Sequence, residues 1–155
     1  MSRFVHLSLL VCVLSICGLA LSPPVHAQDA FITEWETNPR WDSDSKSITI
    51  PTESSDSNYN FEIDWGDGTT ETITGTDPDP SHEYASSGTY TVEISTPGAE
   101  QAFPQICLGC GDPKNAEKLL SVEQWGTIEW ESMASAFEGA ENMTYNAANA
   151  PNLAN

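Results

Sequence analysis

Four sets of residues in this chain are of types that carry chemistry. Cys107 and Cys110 form a Cys-x-x-Cys pair in Cys107-Leu108-Gly109-Cys110. His82 is the single histidine beyond position 27, because His6 and His26 precede it. Asp64 and Asp67 flank a tight segment, Asp64-Trp65-Gly66-Asp67-Gly68, and Trp41 stands among Asp and Ser. A Cys-x-x-Cys pair can close a local disulfide, supply half of a zinc site, or exchange disulfides from the start of a helix. Zinc needs two further ligands and the sequence has no second Cys-x-x-Cys. Gly111-Asp112-Pro113 argues against a helix opening at the motif. For an exported chain the local disulfide is the favoured reading, with free thiols behind it.

Any Ser-His-Asp or Cys-His arrangement in residues 28–155 must use His82, and a multi-histidine metal site there is impossible. No G-x-S-x-G elbow occurs, so no acid, base and nucleophile set can be assembled. The expectation is a chain with no catalytic residue and no cofactor, in which His82 is structural. Asp64 and Asp67 are calcium candidates. That ion needs about six converging oxygens, so hydrogen bonding within the turn is the reading preferred for them. Trp41 could contact a sugar or a protein; the plainer reading is that it covers the domain's edge.

The elements that would position these residues are short strands. Tyr59, Phe61, Ile63 and Trp65 alternate with Asn60, Glu62 and Asp64, a period of two that buries one face. Residues 88–95 repeat the pattern, with Tyr90, Val92 and Ile94 inward. Ile48 and Ile50 mark a shorter strand stopped by Pro51. Residues 69–74 (TTETIT) are β-prone with one aliphatic side chain, which suits an edge. Residues 31–35 and 103–108 could add strands at either end. Gly66-Asp67-Gly68, Asp77-Pro78-Asp79-Pro80 and Ser86-Ser87-Gly88 are turn chemistry at hairpin spacing. Strands without intervening helices argue for an antiparallel β-sandwich. After Gly111 the composition shifts. Trp130, Met133, Ala134, Phe137 and Ala140 then recur at the spacing of a helix face, predicting a helix over 130–143 with Gly139 as its stop.

The 155 residues carry 23 Asp+Glu against 5 Lys+Arg, a net charge of −18. Phosphate backbones would repel such a chain, so nucleic acid is not an expected partner, and a basic lipid-binding patch is missing. At 39% hydrophobic the chain is too apolar to be a disordered tail. Residues 1–27 read as a secretory signal peptide: Arg3, an uncharged apolar run over 7–21, then Val25-His26-Ala27 as the cleavage site. The run is shorter than the ~20 residues that span a bilayer, so no integral membrane span is expected after cleavage. A lipoprotein site at Cys17 is disfavoured by the bulky Ile16 before it. Cleavage after Ala27 leaves four bases against 23 acids, a net charge of −19.

Two resemblances follow from these motifs. Ile63-Asp64-Trp65-Gly66-Asp67-Gly68-Thr69, then His82-Glu83-Tyr84 and Gly88-Thr89-Tyr90-Thr91-Val92, resembles the polycystic-kidney-disease (PKD) domain. That family is an immunoglobulin-like sandwich. Trp65 stands where it usually has Phe, and Ile63 where it usually has Trp. Ser132-Met133, Ala136-Phe137, Gly139, Asn142-Met143 and Ala150-Pro151-Asn152-Leu153 resemble the opening of BspA-type leucine-rich-repeat surface proteins, whose repeats run to about twenty-five residues. Behind the signal peptide (1–27), these resemblances imply a PKD-like sandwich (28–110) and the first α/β unit of a repeat array (111–155). The expected function is adhesion or protein interaction at the cell surface, with an extracellular protein or glycan as ligand. A carbohydrate-binding accessory module of a secreted hydrolase is the alternative. A lone solenoid unit cannot bury its own apolar face, so the segment is expected to be the front of a longer array.

Overall fold

The computed structural model describes residues 29–37, 45–53, 58–76, 78–98 and 102–154. The apolar leader and Trp41 lie outside them. The chain is mainly β. Strands β1 (Phe31–Glu36), β3 (Tyr59–Asp64), β4 (Thr70–Gly75), β6 (Thr89–Ser95), β7 (Leu119–Gln124) and β9 (Thr144–Tyr145) form one mixed sheet in the order β4-β3-β6-β1-β7-β9. The pairings are antiparallel as far as β7, and β9 then joins β7 in parallel. Strands β2 (Ser47–Thr49) and β5 (Ser81–Glu83) make a small antiparallel sheet. Strands β8 (Glu129–Trp130) and β10 (Asn152–Leu153) pair in parallel.

Alternation decides which faces are buried. In β3, Tyr59, Phe61 and Ile63 are buried, and Trp65 follows them inward. β6 buries Val92 and Ile94, while Tyr90 is half-buried and stacked on Tyr84 at 3.7 Å. β4 takes the sheet edge, as its single aliphatic residue, Ile73, requires. β1 also alternates, but it lies in the middle of the sheet between β6 and β7. Its buried polar residue, Thr33, is satisfied there: its hydroxyl donates to the Val92 carbonyl (3.3 Å) and accepts from Trp35 Nε1 (2.8 Å).

One hydrophobic cluster spans the described chain. Phe31 stacks on Trp125 (5.0 Å) and meets the edge of Trp130 (5.1 Å). Phe103 touches Tyr59 (5.5 Å), Phe61 (4.9 Å) and Trp130 (4.9 Å). Each such pair contributes about 0.5–1.5 kcal/mol beyond its buried area. The network joins rings from both sides of Gly111, so the expected boundary there divides neither the sheet nor the core.

Two local expectations are corrected. No helix forms over 130–143: Trp130 belongs to β8, and residues 134–139 are successive turns. The amides of Ala136, Glu138 and Ala140 each donate to the carbonyl three residues back, while Ser135 (φ 49°) and Gly139 (φ 83°) interrupt any helical continuation. Met133, Phe137 and Ala140 still pack on the core, so the apolar spacing serves turns rather than a helix face. Residues 103–108 make isolated bridges, Phe103 to Trp130 and Ile106 to Thr52, because Pro104 has no amide hydrogen for a ladder. A short helix, α1 (Pro113–Ala116), follows Gly111, capped by the Asp112 carboxylate accepting from the Lys114 amide (3.0 Å).

The turn after β3 fixes how that strand meets β6. Gly66 has φ 78°, and a Cβ there would collide with the Thr91 carbonyl oxygen; Gly68 has φ 93° and open space around it. Both positions tax an L-residue by about 1–3 kcal/mol for the dihedral alone. Gly66→Ala is therefore expected to lower the urea midpoint clearly more than Gly68→Ala. Equal losses would remove the close approach to β6 as the reason for a glycine at 66.

Candidate functional site

Asp64 and Asp67 are drawn into the turn that joins β3 to β4. Asp64 Oδ1 accepts from the Gly66 amide (2.9 Å) and Asp67 Oδ1 from the Thr69 amide (3.0 Å). The other oxygen of Asp67 meets His82 Nε2 at 2.8 Å, tying this turn to β5. The His82 ring stacks on Trp65 (5.2 Å) and stands edge-on to Tyr84 (4.6 Å). Tyr84 is buried, and its hydroxyl donates to the Trp65 carbonyl (2.8 Å). Burial pushes the Tyr84 phenol far above its usual range. His82 thus sits in structural company. Among the described residues, Asp64 and Asp67 are joined by no third His, Cys, Asp or Glu in a convergent group.

Asp64 also lies directly across from Glu93 in the β3–β6 register. Burial, and then the Asp64 charge, raise the Glu93 carboxyl above its usual range.

The second region is the end of the chain. Ser121 pairs with Thr144, Val122 with Tyr145, Glu129 with Asn152 and Trp130 with Leu153, the same offset of 23 in all four pairs. Asparagines link the two levels. Asn142 Nδ2 donates to the Glu117 carbonyl (2.9 Å) and Asn146 Nδ2 to Glu123 Oε1 (2.7 Å). Asn149 Oδ1 accepts from the Trp125 amide (3.1 Å). Trp125 Nε1 donates to the Tyr145 hydroxyl (2.9 Å), which donates to the Asn149 carbonyl (2.7 Å). The inner level buries Val122 and Trp130, whereas Tyr145 and Leu153 are 54% and 52% exposed. They are the large hydrophobic side chains that the surface presents among the described residues. Strand β9 is the outer strand of its sheet, and β10 pairs only with β8. Unpaired edges of this kind can accept another strand.

Two further places hold polar groups. Cys107 and Cys110 are joined by a disulfide with Cα atoms 5.3 Å apart. The Glu53 carboxylate lies beside them, in the one group of three potential metal ligands that converges among the described residues. A groove of about 300 Å³ is lined by Ser47, Thr49, Asp79, Asp112, Asn115 and Lys118. Lys118 is buried there, its ammonium donating to Ser45 Oγ and to the Ser47 carbonyl. The sequence reading missed Glu53, Lys118 and the asparagine bridges. Only the asparagines left a signal, in the spacing of Asn142, Asn146 and Asn149. Trp41, the candidate ligand contact, lies outside the described residues, close in sequence to the groove residue Ser45. Among the described residues no helix is long and apolar enough to cross a membrane. No family model, curated protein or solved structure matches the chain.

The two acids at the β3 turn have opposite effects. The hydrogen bond from His82 is the chief cause that holds Asp67 below its ordinary value of 3.8. Its stabilisation is therefore complete above that value and is lost as pH falls through the folded-state pKa. Asp67→Asn is expected to unfold at lower urea than the parent near pH 6, with the difference shrinking at about pH 2–3. A constant difference across that range would deny the ionised Asp67 carboxylate its role. Glu93 is raised, so its effect reverses: stability is lost as pH climbs past its ordinary 4.5. Glu93→Gln is expected to raise the urea midpoint at neutral pH and give no gain under acid conditions. A loss at neutral pH would contradict this sign.

Proposed function

We propose that this chain is an exported, non-enzymatic cell-surface protein that mediates adhesion or protein–protein interaction. In this reading a PKD-like body carries the opening levels of a BspA-type repeat array. The observation that carries it is the pair of parallel levels at one fixed offset of 23, near the repeat length of such an array, with Tyr145 and Leu153 as apolar groups on the second level that a further level or a partner would cover. Exposed apolar side chains beside unpaired strand edges form a surface suited to strand addition. The leader-like residues 1–27 support export. The net charge of −18 supports an extracellular protein or glycan ligand rather than a nucleic acid. The surroundings of His82 support a structural rather than catalytic imidazole, since its contacts are Asp67, Trp65 and Tyr84.

The second reading, a carbohydrate-binding accessory module, is favoured by the groove around Asn115 and Lys118, whose hydroxyls, carboxylates and amide are groups that hydrogen-bond sugars. Beads coated with the protein, offered immobilised extracellular-matrix proteins and insoluble polysaccharides, separate the two. Saturable binding to protein, reduced at least tenfold by Tyr145→Lys with Leu153→Lys, is the expected result. Binding to polysaccharide alone, abolished by Trp41→Ala, would replace the first reading with the second. Binding to protein that the double variant leaves unchanged would remove the chain's end as the contact face.

A further inference from the structure

We propose that reduction of the Cys107–Cys110 disulfide opens a binding site for a thiophilic divalent cation of the Zn²⁺ class, with both sulfurs and the Glu53 carboxylate as ligands. One ligand atom from each of these three residues lies within 4.8 Å of the other two. A tetrahedral zinc site with bonds of about 2.3 Å to sulfur sets its sulfurs roughly 3.7 Å apart. Breaking the S–S bond lets the two sulfurs separate to that spacing. Two thiolates and a carboxylate are a donor set zinc accepts, with solvent in the fourth position.

The site does not depend on the disulfide to keep its shape. The Cys107 amide donates to the Pro51 carbonyl (2.9 Å), the Gly109 amide to Ser135 (3.1 Å) and the Cys110 amide to Cys107 (3.0 Å). On the other wall, the Glu53 amide donates to the Tyr59 hydroxyl (3.1 Å). That hydroxyl in turn donates to the Gln105 carbonyl (2.9 Å). Gln105 Nε2 donates to Glu53 Oε2 (3.0 Å) and to the Ala134 carbonyl (2.6 Å), which aims the carboxylate. Cys107 is buried while Cys110 and Glu53 are exposed, so a reductant and a cation reach the corner from one side.

The chemistry balances with a dithiol as reductant. The Cys107–Cys110 bond takes up two electrons and two protons to give two thiols, and the dithiol closes to its own disulfide. Binding of M²⁺ then expels two protons as both sulfurs coordinate as thiolates. In an oxidising compartment the corner stays closed, so cation binding reports a reducing one.

The test reduces the purified protein with dithiothreitol, removes the reagent by anaerobic gel filtration, and titrates with Co²⁺ followed by Zn²⁺. The expected result is one equivalent of Co²⁺ giving thiolate charge-transfer and tetrahedral d–d absorption, displaced by Zn²⁺ and absent from the oxidised protein. Glu53→Gln is expected to weaken Co²⁺ binding tenfold or more and to change the d–d bands. Glu138→Gln serves as a control, since it alters a side chain that lies against Gly109 without being a ligand. Absence of the bands in the reduced protein would overturn the proposal. So would loss of near-ultraviolet circular dichroism on reduction alone. Equal effects of the Glu53 and Glu138 variants would also overturn it, since proximity of charge rather than coordination would then account for both.

Discussion

Everything in this molecule depends on β1 being gripped from both sides. Its six residues pair with β6 along one edge and with β7 along the other, and Phe31 turns inward between Trp125 and Trp130. It is held between two antiparallel neighbours, with the Glu36 amide donating to the Lys118 carbonyl (2.8 Å), and so joins the strands before Gly111 to those after it. On the β6 side the pairings stay antiparallel out to β4, which a tight turn joins to β3. On the other side β7 is still antiparallel to β1, and the parallel pairing at a fixed offset begins with β9.

That change of pairing has a consequence for surfaces. The antiparallel side ends on β4, a polar edge strand with little to offer a partner. On the parallel side, β9 and β10 repeat the pairing geometry of β7 and β8 at one offset, with the equivalent side chains exposed. Val122 and Trp130 are buried, while their register partners Tyr145 and Leu153 are exposed. Phe103 pairs with Trp130 from the other side, so Phe103, Trp130 and Leu153 form a rising stack whose last member faces solvent. The proposed interaction role draws on this asymmetry.

The faces of the strands were legible in the sequence and their neighbours were not. Alternation over 59–65 gives the inward set Tyr59, Phe61, Ile63 and Trp65 because side-chain direction is a local property. It cannot say that β1 lies between β6 and β7, since pairing is decided by what else must be buried. The misread helix has the same origin. Trp130, Met133, Phe137 and Ala140 fit a helix face, but a chain of turns through Ser135 and Gly139 brings them to the core as well. The parallel levels left a faint trace: at an offset of 23, Leu120 aligns with Met143, Val122 with Tyr145 and Trp130 with Leu153. At the sites, the turn chemistry of Asp64 and Asp67 was readable because each bonds an amide two residues away. Glu53 beside the cysteines was not, since its partners are over fifty residues distant and only the fold gathers them.

The central physical claim is that residues on both sides of Gly111 fold as one unit through β1. Native-state hydrogen exchange at single-amide resolution tests it most directly. Paired amides of β1, β3, β6 and β7 should exchange through a common global opening, with the same free energy and the same dependence on denaturant. Amides of β7 and β8 that open separately and more easily, while β3 and β6 stay protected, would contradict it.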